Sequence, residues 1–350
     1  MQPTYDTLEA IELQAAACDH IGSPLYAQLL RGIAADYRAD GLSRTLLEHA
    51  SERPQHDAIP LRYLATAHRL ALAGKAPTLA QHFASCGGSW SGADITPDFL
   101  TLVEQRHEMF VEGLTRQVQT NEVGRAAAVA CGLAHVQQQF DLALRTFEVG
   151  ASAGLLSRVP WFRIDTGTSA CGPEDSPLRL GPEWFAIAPP TLPTHLEVVE
   201  QAAADIMPLD VDTDAGRLAI QSFVWPDQME RMERLRSALA IADEHPLHVE
   251  RSDAGAWLSR HVTAPTPTGV ATVVFHSIVW QYLPPWTRDQ LKATLAAVAP
   301  SATRQSPLCW LRMEPAGETH ADLRLTVWPG GHETHLADVG YHGHDLTWLA

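Results

Sequence analysis

Up to about residue 139 the apolar residues recur every three or four positions, and from Phe140 onward they come in short runs separated by turn residues. The first pattern is helical. Leu100, Val103, His107, Phe110, Leu114 and Val118 make one apolar stripe, and Pro24, Pro54, Pro60 and Pro77 fall where helices would start. Residues 86–97, rich in Gly, Ser, Asp and Pro, read as a loop, and no strand-like run interrupts this half. The second pattern predicts strands at 142–149, 196–204, 247–250, 271–279 and 307–313. Helices are expected from Ser152, at 226–242, near Ala254 and at 287–298. Residues 159–193 read as a hairpin insertion, and residues 323–328 and 335–339 flank Pro329-Gly330-Gly331 as a second hairpin. Strands alternating with helices imply a parallel sheet. The expectation is an α/β protein: an all-helical N-terminal domain over 1–139, then a mostly parallel, Rossmann-like sheet over 140–350 with a C-terminal antiparallel hairpin.

Composition narrows the partners. A net charge of −16 opposes a phosphate polymer, and acids interrupt the nearest basic patch, Arg231, Arg234 and Arg236, so nucleic acid is not expected. No apolar run reaches the length of a membrane span, and the N-terminus lacks the basic start of a secretory signal. A cytoplasmic protein acting on a small molecule follows. The five cysteines include no close pair and read as reduced, structural thiols, with Cys131 in a buried run.

The chemistry centres on Glu148-Val149-Gly150-Ala151-Ser152-Ala153-Gly154, which follows the first strand of the α/β half. Gly150 allows a tight turn, Ala151 and Ala153 keep it small, and Gly154 permits close packing. A helix opening at Ser152 would present free N–H groups to a carboxylate, and Glu148 would meet an ammonium group. An amino-acid head carries both charges, so the turn suits the methionine moiety of S-adenosylmethionine. The same residues spell Gly-x-Ser-x-Gly, the nucleophile elbow of a serine hydrolase, with Ser152 attacking and His276 or His342 as base. Against that reading, an elbow follows earlier strands of its sheet, and the residues before 142 are helical. A junction built of small residues for packing alone is the third reading.

Other residues fit around the turn. Asp205, at the end of the second strand, is placed to take ribose hydroxyls, with Glu200 as a rival. Asp253 is placed to accept from an adenine amino group or to cap the next helix. His276, within a central strand, is the candidate catalytic base or donor, against a structural histidine. The polar segment 119–125, with Asn121, Glu122 and Arg125, would close over the cofactor as a substrate or lid element; the alternative is a capping box with Thr120 as N-cap. His332, His335, His342 and His344 crowd the C-terminus, but no carboxylate or cysteine completes a recognised metal spacing, so no metal is expected.

Taken together, several motifs resemble those of an uncharacterised bacterial family, domain-of-unknown-function family 2332. They are Ser23-Pro24-Leu25-Tyr26, residues 119–125 and 148–155, Trp225-Pro226-Asp227, His276-Ser277 with Gln281-Tyr282-Leu283-Pro284, Glu314-Pro315 and Trp328-Pro329-Gly330-Gly331. The resemblance spans nearly the whole chain. Departures fall near the expected pocket: Leu156 follows Leu155 where the family has Asn after Leu, and Gln201 and Ala203 stand where it has Arg and Gly. The C-terminal part is similar to class I methyltransferases. The resemblance implies a fold more than a reaction. The first reading is an S-adenosylmethionine-dependent methyltransferase acting on a small molecule, with the helical domain as lid and substrate wall, and the second is a non-catalytic ligand- or partner-binding protein on the same scaffold.

Overall fold

The computed structural model describes residues 6–317 and 320–350. The chain divides into two compact units, the first holding residues up to Thr120 and again Thr213–Glu233, the second Asn121–Asp212 and Arg234–Ala350. The division at 120 rather than 139 has a clear cause. Helix α8 (Ala126–Phe140) is apolar nearly all round and packs on the strands of the second unit. Gly132 there leaves the space that Leu311 occupies, since a Cβ would lie 2.6 Å from its Cδ1.

The first unit is helical: α1 (Thr7–Ile21), α2 (Pro24–Arg38), α3 (Leu42–Leu47), α4 (Ile59–Leu72), α5 (Pro77–Ala80), α6 (Thr96–Gln105) and α7 (His107–Leu114), joined later by α9 (Asp214–Ser222). Pro24 and Pro77 open helices and Pro60 is the second residue of α4, whereas Pro54 lies in a turn. The expected single stripe is broken at Arg106, which leaves helical geometry (φ −126°) and separates α6 from α7. Phe99, Val103, Phe110 and Leu114 are buried while His107 is exposed. Tyr63 meets Phe99 and Phe110 edge-on, at 5.0 and 5.3 Å between centroids.

Residues 213–233 return to this unit through bonds that no short window of sequence displays. Ser23 Oγ donates to Asp227 Oδ1 at 2.6 Å, the Leu25 N–H donates to Oδ2 at 3.2 Å, and Tyr26 packs on Trp225. Two motifs about two hundred residues apart thus form one helix cap. His68, fully buried, lies between the Ser222 carbonyl (3.2 Å) and the Ser85 hydroxyl (2.7 Å). Burial pushes its imidazole down to about 4, so it is neutral.

In the second unit β1 (Ala143–Val149) is followed by β2 (Arg163–Asp165), β3 (Ala170–Cys171), β4 (Arg179–Leu180), β5 (Phe185–Ile187) and β6 (Val198–Asp205). Then come α10 (Met229–Glu244), which belongs to this unit from Arg234 onward, β7 (Val249–Arg251), α11 (Ala254–His261), β8 (Val270–Ser277), α12 (Pro285–Val298), β9 (Leu308–Pro315), β10 (His320–Trp328), β11 (His332–Gly340) and β12 (Leu346–Trp348). The large sheet runs β5-β12-β11-β10-β9-β8-β1-β6-β7. From β7 to β9 it is parallel, and β10, β11 and β12 follow as an antiparallel meander. The fold is therefore mixed α/β, with a mostly parallel sheet and antiparallel C-terminal strands. Phe147, Val149, Val274 and Leu308 face α11 and α12 through Trp257, Leu291 and Leu295.

Three expectations are corrected here. No α-helix begins at Ser152: residues 152–155 are a turn, and Leu156–Trp161 is a 3-10 segment containing Pro160, which lacks the N–H a helix interior uses. Residues 159–193 are more than a hairpin, since β3-β2-β4 form a small sheet of their own and β5 joins the large one beside β12. The helix expected over 226–242 starts at Met229, after the Trp225-Pro226-Asp227 segment that binds Ser23. The short strand β12 and helix α9 were not expected from the pattern. Among the described residues no helix is long and apolar enough to cross a membrane. All five cysteines are free thiols.

Candidate functional site

The order of the parallel strands reverses at β1: the next two, β6 and β7, lie on one side, and β8 and β9 on the other. In open α/β sheets, ligands bind outside the carboxyl ends of the strands at such a reversal. The glycine turn leaves β1 at this point. Gly150, Ser152 and Gly154 all have positive φ (70°, 53° and 67°), so the backbone doubles back instead of coiling into a helix.

Consequently the turn's N–H groups do not project as a helix N-terminus. Gly150 and Ala151 donate to the Ala204 carbonyl at 2.9 and 3.1 Å, Ser152 N–H donates to Asp205 Oδ2 at 2.8 Å, and Gly154 N–H to the Ala151 carbonyl at 2.7 Å. The carbonyls are held too. Asn121 Nδ2 donates to Ala151 (3.2 Å), the Leu209 N–H to Ser152 (3.2 Å), and Arg158 Nη1 to Ala153 (3.2 Å) and Gly154 (2.9 Å). Four of the five N–H groups over 150–154, those of Gly150, Ala151, Ser152 and Gly154, are thus taken up by the protein's own acceptors. Gly154 does serve close packing, against Val249 and Leu247.

Gly150 is constrained by a side chain. A Cβ built on it would lie 2.3 Å from Val279 Cγ2 and 2.9 Å from Val279 Cβ. With the left-handed backbone, Gly150→Ala is expected to cost about 2 kcal/mol in urea denaturation. Val279→Ala in the same chain should recover part of that loss. A Gly150→Ala change of less than about 0.5 kcal/mol, the range of neutral surface substitutions, would exclude the contact.

The structure brings Asp205, Asn121 and Val279 to the turn. Asp205 is half-buried, and besides Ser152 it accepts the Met207 N–H at Oδ1 (2.8 Å). Arg125 donates through Nε to the Tyr341 carbonyl (3.0 Å) and through Nη1 to the Ser277 carbonyl (3.5 Å) at the end of β8. Glu122 is buried and caps the 3-10 turn Val123–Arg125 by accepting the Gly124 N–H, so the cap is Glu122 and not Thr120.

Other predicted residues lie elsewhere or are engaged. Glu148 does not wait for a ligand's ammonium group: it is 4% exposed, and its Oε2 accepts the Ser157 hydroxyl. Burial raises its pKa to about 7, against the lowering effect of Ser157 and of the Arg158 charge. Asp253 is the N-cap of α11, with Oδ1 accepting Ala256 N–H (3.1 Å) and Oδ2 the Thr287 hydroxyl, so capping accounts for it. His276 points to the α11–α12 face, opposite Glu148 by register. Its Nδ1 meets Glu314 Oε1 at 2.6 Å, and Glu314 also accepts the Val279 and Trp280 N–H groups (3.1 and 3.2 Å). His276 Nε2 is buried without a hydrogen-bond partner, under a Trp280 ring stacked at 5.5 Å. Ser152 is 8% exposed, and the helix that follows a nucleophile elbow is missing.

Sequence reasoning missed Ser157, Arg158 and the role of Glu314. Arg158 is 1% exposed and binds three carbonyls, yet it sits in a segment whose apolar neighbours gave no sign of a buried charge. Glu314-Pro315 was visible as a motif, but its partners are His276 in β8 and the Val279 and Trp280 N–H groups just beyond it.

The family model described as an uncharacterized protein conserved in bacteria (DUF2332) matches residues 8–348. No curated protein and no solved structure matches the chain.

Proposed function

We propose that this chain, which belongs to the DUF2332 family of bacterial proteins, is an S-adenosylmethionine-dependent methyltransferase acting on a small molecule. The observation that carries the reading is the placement of the glycine turn and Asp205 side by side at the carboxyl ends of β1 and β6, where strand order reverses. From the far edge the parallel strands run third, second, first, fourth, fifth, the order of doubly wound nucleotide-binding sheets. It is also the sheet arrangement that a class I methyltransferase-type fold would require.

Asp205 is suited to a ribose. Two backbone N–H groups hold its carboxylate, which leaves about two of its roughly four acceptor positions for a diol. The turn supplies shape above all, because four of its five N–H groups are engaged, and Asn121 fixes it through Ala151. Methyl transfer by in-line displacement needs positioning above all, so the absence of an open acid–base pair at the turn is compatible with it.

The test uses S-adenosylhomocysteine. At millimolar ligand it should raise the melting temperature of the wild type, since a ligand bound only by the native state stabilises it by mass action. Asp205→Asn, which keeps shape but loses acceptor strength, should weaken binding about tenfold, equivalent to about 1.4 kcal/mol. The absence of both heat in titration calorimetry and a thermal shift would overturn the proposal. Labelling of Ser152 by a fluorophosphonate would replace it with the hydrolase.

A further inference from the structure

The outer face of the β10–β11 pair gathers residues that the site above does not use. Asp322 of β10 stands directly opposite Asp338 of β11. Like charges directly opposite one another destabilise an antiparallel pair. The register also slips between Leu323 and Arg324, which pair with Ala337 and His335. Residues 335 and 338 are an odd number apart and would normally face opposite sides; a bulge turns His335 to the side of Asp338. His335 Nε2 comes 3.4 Å from Asp322 Oδ1, 3.0 Å from Asp338 Oδ1 and 3.1 Å from the Ala337 carbonyl. His320 Nε2 lies 3.9 Å from the same Asp322 Oδ1.

We infer that His320, Asp322, His335 and Asp338 form a binding site for a divalent transition-metal ion of the zinc class. Ligands bound tetrahedrally at the usual zinc–nitrogen and zinc–oxygen lengths are about 3.3 Å from one another. The distances of 3.0, 3.4 and 3.9 Å bracket that edge. Ligand atoms of His320, Asp322 and Asp338 all lie within 4.8 Å of one another. Arg324 donates to Asp322 through Oδ2, at 2.8 Å from Nε, and leaves Oδ1 turned to the histidines. That bond orients the carboxylate as outer partners of metal ligands do. Three of these ligands already lie together, and His335, now against the Ala337 carbonyl and both aspartates, would supply the fourth position, so that the ion would brace the hairpin rather than activate a nucleophile. It would also neutralise the facing aspartates. The linear sequence hides the set because its members alternate along two strands.

The site is independent of the cofactor reading, and zinc alone tests it. Full-length protein, stripped with a chelator, is titrated with zinc chloride by calorimetry and followed by thermal unfolding. One ion should bind per chain and raise the melting temperature. Cobalt should bind with the strong visible absorption of a tetrahedral complex. His320 and Asp338 side chains are each 45% exposed, so the double variant His320→Gln, Asp338→Asn leaves the core intact. It should lose at least about tenfold in zinc affinity, the low end of what changes around a metal cost. His332→Gln, on the same hairpin, should bind as the wild type. Failure to bind one equivalent, or unchanged affinity in the double variant, overturns the site and leaves these residues as a hydrogen-bonded cluster.

Discussion

Arg158→Ala should lower stability by about 3–5 kcal/mol, the range found when one member of a buried charged network is removed. The guanidinium is 1% exposed and serves two places at once. Nε donates to the His245 carbonyl at 2.9 Å, and Nη1 donates to the Ala153 and Gly154 carbonyls at 3.2 and 2.9 Å. Truncation leaves three carbonyls short of a donor and opens a cavity beneath the glycine turn. Its positive charge also lowers the pKa of the buried Glu148, so that carboxyl would move further towards the neutral form. Lysine should not rescue the loss, because a single ammonium cannot span the acceptors that the planar fork reaches. Urea denaturation measures the change, and a loss below about 1 kcal/mol would contradict the network.

The second large effect is a dependence on pH. Burial raises the Glu148 pKa to about 7, above its ordinary value of 4.5. Between those values the folded chain holds a proton that the unfolded chain has released, so stability falls as pH rises through this window and levels off above it. The difference corresponds to about 3 kcal/mol at the alkaline end. Glu148→Gln keeps the shape and the hydrogen-bonding capacity toward Ser157 without the charge. It should be nearly neutral at pH 4, and it should stabilise the protein by about that amount at pH 8. Equal effects of the substitution at both pH values would show that the carboxyl is not held neutral.

Much of the fold follows from patterns a short window contains. The change at Phe140 separates helical from strand-forming sequence, and β1, β8, β9 and α12 lie within a few residues of where their apolar runs end. The parallel sheet with an antiparallel end follows from the alternation itself. The break at Arg106 was not legible, because the apolar spacing continues across it. Nor was the allegiance of α8, whose apolar character shows burial but not which partner buries it.

The sequence alone determined where the backbone must turn. Gly150 and Gly154 are required because a side chain at either position meets a neighbour, and positive φ is accessible to glycine at little cost. It also brought Asp205, Asn121 and Arg125 forward, since a polar residue at a strand end or turn has few local duties. Only the tertiary structure decided what those groups bind. Asp205 accepts the Ser152 N–H because β1 and β6 lie side by side, and the register of that pairing is set by burial along both strands. Glu148 is held by Ser157, and Asp253 by Ala256 and Thr287. Asp322, Asp338 and two histidines meet through a bulge. Backbone conformation answers to the nearest few residues, whereas a polar side chain answers to whatever donor or acceptor the packed fold delivers within about 3 Å.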